Sequence, residues 1–185
     1  MQFNLNSDVS FILEQLNKNG SGFLVGGAVR DLIMGRVPGD YDFATDIEYA
    51  RLKEIFADYS PKEVGAHFGI LIIKVNGKSY EIAKFRKEKG IYNSRYPKEI
   101  KFINSIDEDL ARRDFTINSL AYSKQTGIVD LYGGRQDIRR KVIRFVGKPK
   151  LRIEEDALRI LRAFRFISKL GFNLDKKTSE AIYKK

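Results

Sequence analysis

The pair Asn76-Gly77 constrains this chain more than any other two residues. It stands between two β-forming runs, Phe68–Val75 and Lys78–Phe85. A two-residue turn between twisted strands needs positive φ at both central positions, and Asn-Gly tolerates that best. A hairpin is predicted there, and with it a sheet. Further strands are expected at Gly22–Val25, Tyr41–Thr45, Glu99–Ile103, Ser119–Tyr122 and Ile128–Tyr132. Helical spacing of Val9, Ile12, Leu13 and Leu16 predicts a first helix, capped by Ser7 or Asp8 and ended by Gly20. Other helices are expected over Ala28–Met34, from a Thr45 or Asp46 cap to Phe56, and from a start within Leu110–Asn118. After Pro149 the strands cease, and Glu154–Leu170 reads as one long helix stopped by Gly171. This order predicts an α+β fold, with a mixed head at residues 1–147 and the beginning of a helical region at 148–185.

The 185 residues, 43% hydrophobic and 31% charged, suffice for one core domain and part of another. Thirty-four Lys and Arg against 24 Asp and Glu leave a formal charge of +10. Such an excess points to a polyanionic partner, nucleic acid before membrane. There is no cysteine, which excludes a disulfide framework and a thiolate metal site and fits a cytoplasmic protein. The first residues lack the pattern of a signal peptide, and the apolar stretch near Gly69–Ile73 is far too short to span a bilayer.

Three clusters carry chemistry. Gly26-Gly27 leads from a strand into a helix start, where backbone N–H groups can meet a phosphate. Asp40 and Asp42 follow, two apart in an otherwise apolar strand. Alternate strand residues share a face with Cα atoms roughly 6.5–7 Å apart. Two such carboxylates can hold divalent ions about 3.5–4 Å apart, as two-metal phosphoryl transfer requires. Glu81, between Tyr80 and Ile82 after the Asn-Gly turn, is a candidate third acid, or an ordinary salt-bridge partner.

Arg112-Arg113-Asp114 is the second cluster. It can form a structural ion pair, or offer planar bidentate contacts to phosphate or a base edge. The third is Asp156, Arg159, Arg162 and Arg165 on the last expected helix. There Asp156 falls within the apolar stripe of Ile160, Ala163 and Ile167, flanked by Arg159 and Arg162, with Arg165 on the far side. A helical ion pair worth about 0.2–0.5 kcal/mol would not offset burial of that carboxylate, so a bound base or a second arginine is expected against it. His67 reads as structural, and Tyr92, Arg95 and Tyr96 lie in a polar loop, Lys87–Pro97, that could clamp RNA.

In this order the clusters resemble the class II tRNA nucleotidyltransferases, the CCA-adding enzymes, and their bacterial poly(A) polymerase relatives. The matching segments are Gly26–Asp31 with Asp40–Thr45, then Glu108–Tyr122, Asp130–Gly134 and Glu155–Phe166. The resemblance implies a nucleotidyltransferase palm, a mixed β-sheet with helices on one side, leading into a helical neck. It implies that Asp40 and Asp42 hold two Mg²⁺, and that Gly27, Arg30 and Arg113 contact the triphosphate or ribose of ATP or CTP. It further implies that Asp156, Arg159, Arg162 and Arg165 form a nucleotide-reading helix, with the tRNA 3′ end as acceptor. Alternatives are A-only addition, CC-only addition, polyadenylation, or, in a different class, a non-catalytic basic RNA-binding module. Tyr92–Pro97 is shorter than the family's loop and lacks its acid, and family enzymes continue past the position of Lys185. A truncated chain is therefore expected.

Overall fold

Asn6 begins the first element, one residue ahead of the expected cap. Its side chain accepts the Val9 N–H at 2.9 Å and opens α1 (Ser7–Asn19), whose buried face includes Val9, Ile12, Leu13 and Leu16. The computed structural model describes residues 2–64, 68–90 and 99–184. The chain continues through β1 (Gly22–Val25), α2 (Gly27–Ile33), β2 (Asp42–Thr45), α3 (Tyr49–Ile55) and β3 (Lys62–Glu63). Then come β4 (Ile70–Val75), β5 (Lys78–Lys84), β6 (Arg86–Lys89), β7 (Glu99–Phe102) and α4 (Ile106–Ala111). A 3₁₀ turn at Ala57–Tyr59 lies between α3 and β3, and another, Thr116–Asn118, precedes β8 (Ala121–Ser123) and β9 (Gly127–Val129). The last elements are α5 (Gly134–Arg140), β10 (Val142–Ile143), α6 (Pro149–Glu155), α7 (Leu158–Leu170), β11 (Asn173–Leu174) and α8 (Lys176–Tyr183).

The expected hairpin is β4 and β5, with Asn76 at φ 49° and Gly77 at φ 77°. It belongs to a seven-stranded sheet in the order β3-β4-β5-β2-β1-β8-β9. Only β2 and β5 are parallel; the other neighbours run antiparallel. Residues alternate between the two faces. Leu24, Phe43 and Ile82 enter the large core, to which every helix except α4 contributes. Phe23, Val25, Ala44 and Ala121 point the other way, into a small cluster closed by Leu110 of α4. That second face is the thinly covered one, and it carries the site.

Several expectations give way to tertiary contacts. Thr45 and Asp46 do not cap α3: Thr45 Oγ1 accepts the Ile47 N–H at 3.2 Å and Asp46 the Ser21 N–H at 2.7 Å, and the helix begins only at Tyr49. The start of the polar loop Lys87–Pro97 is strand, because β6 finds an antiparallel partner in β7. Tyr92, Arg95, Tyr96 and His67 lie outside the described residues. Leu110–Asn118 is no single helix start, since α4 ends at Ala111 and the 3₁₀ turn is separate.

The helix expected over Glu154–Leu170 is two. Asp156, at φ −156° and ψ 105°, is extended, and its Oδ1 accepts the Leu158 N–H at 2.9 Å. A short polar side chain that bonds backbone two residues on competes with helix continuation, and here it wins. The parallel pair β10–β11 joins residues 142–143 to 173–174. Ile153, Ala163, Leu170 and Ile182 share the large core with Leu24 and Phe43, so one apolar core runs across position 147. Among the described residues no helix is long and apolar enough to cross a membrane.

Candidate active site

The β1–α2 turn is built by Gly26, at φ 69°, a conformation that side chains strain to adopt. A Cβ there would also stand 3.0 Å from Arg113 Nη1. The Gly26 N–H is taken by the Leu120 carbonyl at 2.9 Å, so any anion at this turn meets α2 from Gly27 onward. Beneath it lies Arg30, 3% exposed. Its Nε and Nη2 grip Asp31 Oδ1 at 2.9 and 2.8 Å, and its Nη1 donates to Asn118 Oδ1 at 2.6 Å. Its face packs on Phe166 of α7, 5.5 Å from the ring centroid.

Asp42 opens β2 next to this turn, opposite Val25 of β1 and Glu81 of β5. Residues directly opposite on neighbouring strands share a face, so both carboxylates lie on the thinly covered side. Asp40 precedes the strand instead of lying on it, because pairing with β1 and β5 begins only at Asp42. The Asp42 carboxyl is pushed above the usual carboxylate range, first by desolvation, then by the charge of Glu81, with Asp40 adding to it and Arg113 opposing. Among the described residues no three carboxylates or histidines form a ready metal cage.

Arg112 and Arg113 are held by Asp109, a residue the sequence reading passed over. Asp109 is 1% exposed and takes Arg112 Nη2 at 2.8 Å, Arg113 Nη2 at 3.1 Å and the Arg86 N–H at 3.2 Å. Burial pushes its carboxyl up, but the two guanidinium groups and these hydrogen bonds outweigh that and hold it below its ordinary value. The i,i+3 and i,i+4 spacing on α4 was the available signal. Asp114, the neighbour that invited pairing, points away and accepts Arg162 Nε of α7 at 2.8 Å.

Helix α7 forms the opposite wall. Arg159, Arg162, Phe166 and Lys169 recur every three or four residues on its cleft-facing side, while Ala163 and Leu170 are buried. Arg159 Nη1 is anchored by Glu155 at 2.7 Å and the Arg152 carbonyl at 3.0 Å. Asp156 sits at the α6–α7 junction, not in an apolar helical stripe, so it needs no burial partner; both it and Arg165 line the same cleft.

The cleft holds about 670 Å³ and is lined by Gly26, Gly27, Arg30, Asp42, Arg113, Asp156, Arg159, Arg162 and Arg165 together. Asp40 and Glu81 are not part of that lining; they flank Asp42 from before β2 and from β5. Phe68, Arg86, Glu88, Asn118 and Lys169, which no sequence pattern singled out, also face the space. Eight cationic side chains against four carboxylates give the cleft a clear excess of positive charge, with Asp42 at the glycine turn.

Residues 22–144 match the family profile described as the poly A polymerase head domain. The CCA-adding enzyme of Bacillus pumilus is 46% identical over 174 residues, covering 94% of this chain and 43% of that protein. That of Bacillus subtilis is 46% identical over 162 residues, 88% of this chain and 40% of that one. The crystal structure of the Bacillus stearothermophilus CCA-adding enzyme in complex with CTP superposes with a TM-score of 0.86 at 40% identity, over 95% of this chain and 42% of that one. A tRNA nucleotidyltransferase complexed with a primer tRNA and an incoming ATP analog gives 0.74 at 30% identity, over 95% and 49%. The chain thus spans about two-fifths of the length of the curated relatives it matches.

Proposed function

Since the chain belongs to the poly A polymerase head-domain family, we propose that it is the nucleotidyltransferase head of an enzyme that adds CMP and AMP units from CTP and ATP to the tRNA 3′ end without a nucleic-acid template. One observation carries this reading: Asp42, crowded by Glu81 and Asp40, faces a cationic cleft beneath a glycine turn. The acceptor's 3′ hydroxyl attacks the α-phosphorus, the new P–O bond forms as the α–β anhydride bond breaks, and pyrophosphate leaves. Gly27, Arg30 and Arg113 orient the triphosphate, and the arginines offset its charge as it is redistributed.

The donor set suits Mg²⁺. Carboxylate oxygens are its preferred ligands, and it is held by one or two carboxylates plus substrate phosphates and water instead of a full protein cage. Desolvation and then the charges of Glu81 and Asp40 raise the Asp42 carboxyl, and a bound cation opposes all of these by favouring the ionised form. Asp40 and Asp42 would hold Mg²⁺, which would supply Lewis-acid activation of the 3′ hydroxyl and charge neutralisation of the leaving group. Glu81 acts as the nearby third acid, tuning Asp42.

Asp156 and Arg159 read the base. An ionised carboxylate only accepts hydrogen bonds and a guanidinium only donates them. Cytosine and adenine each present an amino donor beside a ring-nitrogen acceptor, which matches that pair. Uracil and guanine present the reverse. We place the activity in the cytoplasm, where a fold without disulfides is the rule.

The test is incorporation of labelled CTP, ATP, UTP and GTP, singly and in pairs, into tRNA ending before CCA, using the chain and a longer version of the protein. Addition of C, then A only after C, is the expected result. Addition of A alone would identify an A-adding or polyadenylating enzyme. No incorporation by either version, with normal folding and tRNA binding, would leave an RNA-binding module.

A further inference from the structure

Asn118 lies at the end of the 3₁₀ turn, 7% exposed, between the two walls of the cleft. Its Oδ1 accepts Arg30 Nη1 at 2.6 Å, and its Nδ2 donates to Asp114 Oδ1 at 3.3 Å. The other Asp114 oxygen holds Arg162 of α7. The amide orientation is forced: a guanidinium can only donate and a carboxylate can only accept, so the oxygen must face Arg30 and the nitrogen Asp114. No other uncharged side chain of that size offers an acceptor and a donor in opposite directions.

We propose that Asn118 is a positioning residue for the incoming nucleotide, fixing the register between Arg30 beneath the phosphate-binding turn and Arg162 on the base-reading wall. This rests on the nucleotidyl-transfer reading. Arg30 has little freedom of its own, since Asp31 holds one edge of its guanidinium and Phe166 one face. Its Nη1 is the edge that looks toward the 3₁₀ turn. Arg162 is the opposite case: its side chain is 50% exposed, so Asp114 decides where it points. Asp114 in turn is oriented from two sides, by the Phe115 N–H at 2.7 Å and by Asn118. Releasing the amide lets Asp114 and Arg162 swing away from their place on the base-reading wall while the fold stays intact. A 1 Å misplacement in such a site is enough to weaken productive binding.

The measurement is ATP binding by calorimetry together with kcat and KM for incorporation, in wild type, Asn118→Asp, Arg162→Gln and the double variant. Asn118→Asp keeps the acceptor toward Arg30 at nearly unchanged volume and replaces the donor toward Asp114 with a carboxylate oxygen that repels it. ATP affinity should fall roughly tenfold, the loss expected from one broken buried contact, with KM rising more than kcat falls and the melting temperature near that of wild type. In the Arg162→Gln background the same change should add little, because Asn118 acts through Asp114 and Arg162. Unchanged ATP affinity in Asn118→Asp, or losses that add fully in the double variant, would overturn the proposal. If Asn118→Asp does not fold, Asn118→Ser, whose single hydroxyl cannot reach both neighbours, enters the same cycle with the same two criteria. A wild-type chain that binds no ATP would sink the transfer reading and this proposal together, an outcome distinct from a wild type that binds and a variant that binds equally well.

Discussion

Asp42 stands directly opposite Glu81 across the one parallel junction that the described residues of the main sheet form, so two carboxylates from strands far apart in sequence share one face, and the charge of Glu81 adds to desolvation in raising the Asp42 carboxyl's affinity for a proton. β2 takes its place between β1 and β5, and this pairing sets the acid beside the Gly26–Gly27 turn.

The first consequence is catalytic. Asp42→Asn should reduce nucleotide incorporation by on the order of 10²–10³-fold or more, since charge stabilisation of the transition state is lost. Asp40→Asn should act in the same direction. Thermal melting should change little, because both side chains stand at or beside the cleft and outside the apolar core. Near-normal incorporation at saturating Mg²⁺ by either variant would remove that residue from the mechanism.

Metal binding can be read without turnover. Mg²⁺ and ATP at about 100 times their dissociation constants should stabilise the folded chain by roughly 2.7 kcal/mol, a rise of several degrees in Tm. Asp42→Asn should abolish most of that rise while leaving the baseline Tm in place. An equal shift in wild type and variant, measured by scanning calorimetry, would place the ion elsewhere.

Asp109 should matter for stability more than any acid in the cleft. It is buried against Arg112, Arg113 and the Arg86 N–H, and removing one partner of a buried ion pair costs on the order of 3 kcal/mol. Urea unfolding of Asp109→Ala should show that loss with little change in slope. The pH dependence has a definite sign. The folded-state pKa is depressed, so the contribution is present above about pH 4 and disappears as pH falls through the lowered folded value. Asp109→Asn should flatten the acid limb of the stability profile; an unaltered limb would show that the carboxylate is not coupled to its arginines.

Asp156→Ala should lose discrimination as well as rate. A site built on directed hydrogen bonds can reject a mismatched partner by roughly 10⁴-fold, so incorporation of UTP and GTP should rise relative to CTP. A variant that merely slows, with the ratio of UTP to CTP incorporation unchanged, would make Asp156 a junction residue whose role ends with the Leu158 N–H it holds.

What this sequence determined by itself is what short-range stereochemistry controls. Asn76-Gly77 specifies its hairpin because both residues tolerate positive φ. α1 follows from helical spacing of apolar residues and an adjacent polar cap, and its limits differ from the expectation only in which side chain caps it. The Gly26–Gly27 turn followed by Asp42 was legible for the same reason, the strand, turn and helix being consecutive. Tertiary structure decided everything that depends on which distant group is nearest. Arg112 and Arg113 could have paired with Asp114 or Asp109; packing of α4 over the small cluster buries Asp109 beneath them, while Asp114 is drawn to Arg162, 48 residues away. β6 became a strand only because β7 lay beside it. The helix break at Asp156 arises because a local side-chain bond to Leu158 competes with one more helical turn, a contest of small energies that periodicity cannot resolve. Glu81 gained its meaning from register, since a parallel neighbour, not the intervening residues, sets it against Asp42. Local φ and ψ preferences travel with the residue, whereas the pairing of charges and strands belongs to the folded chain.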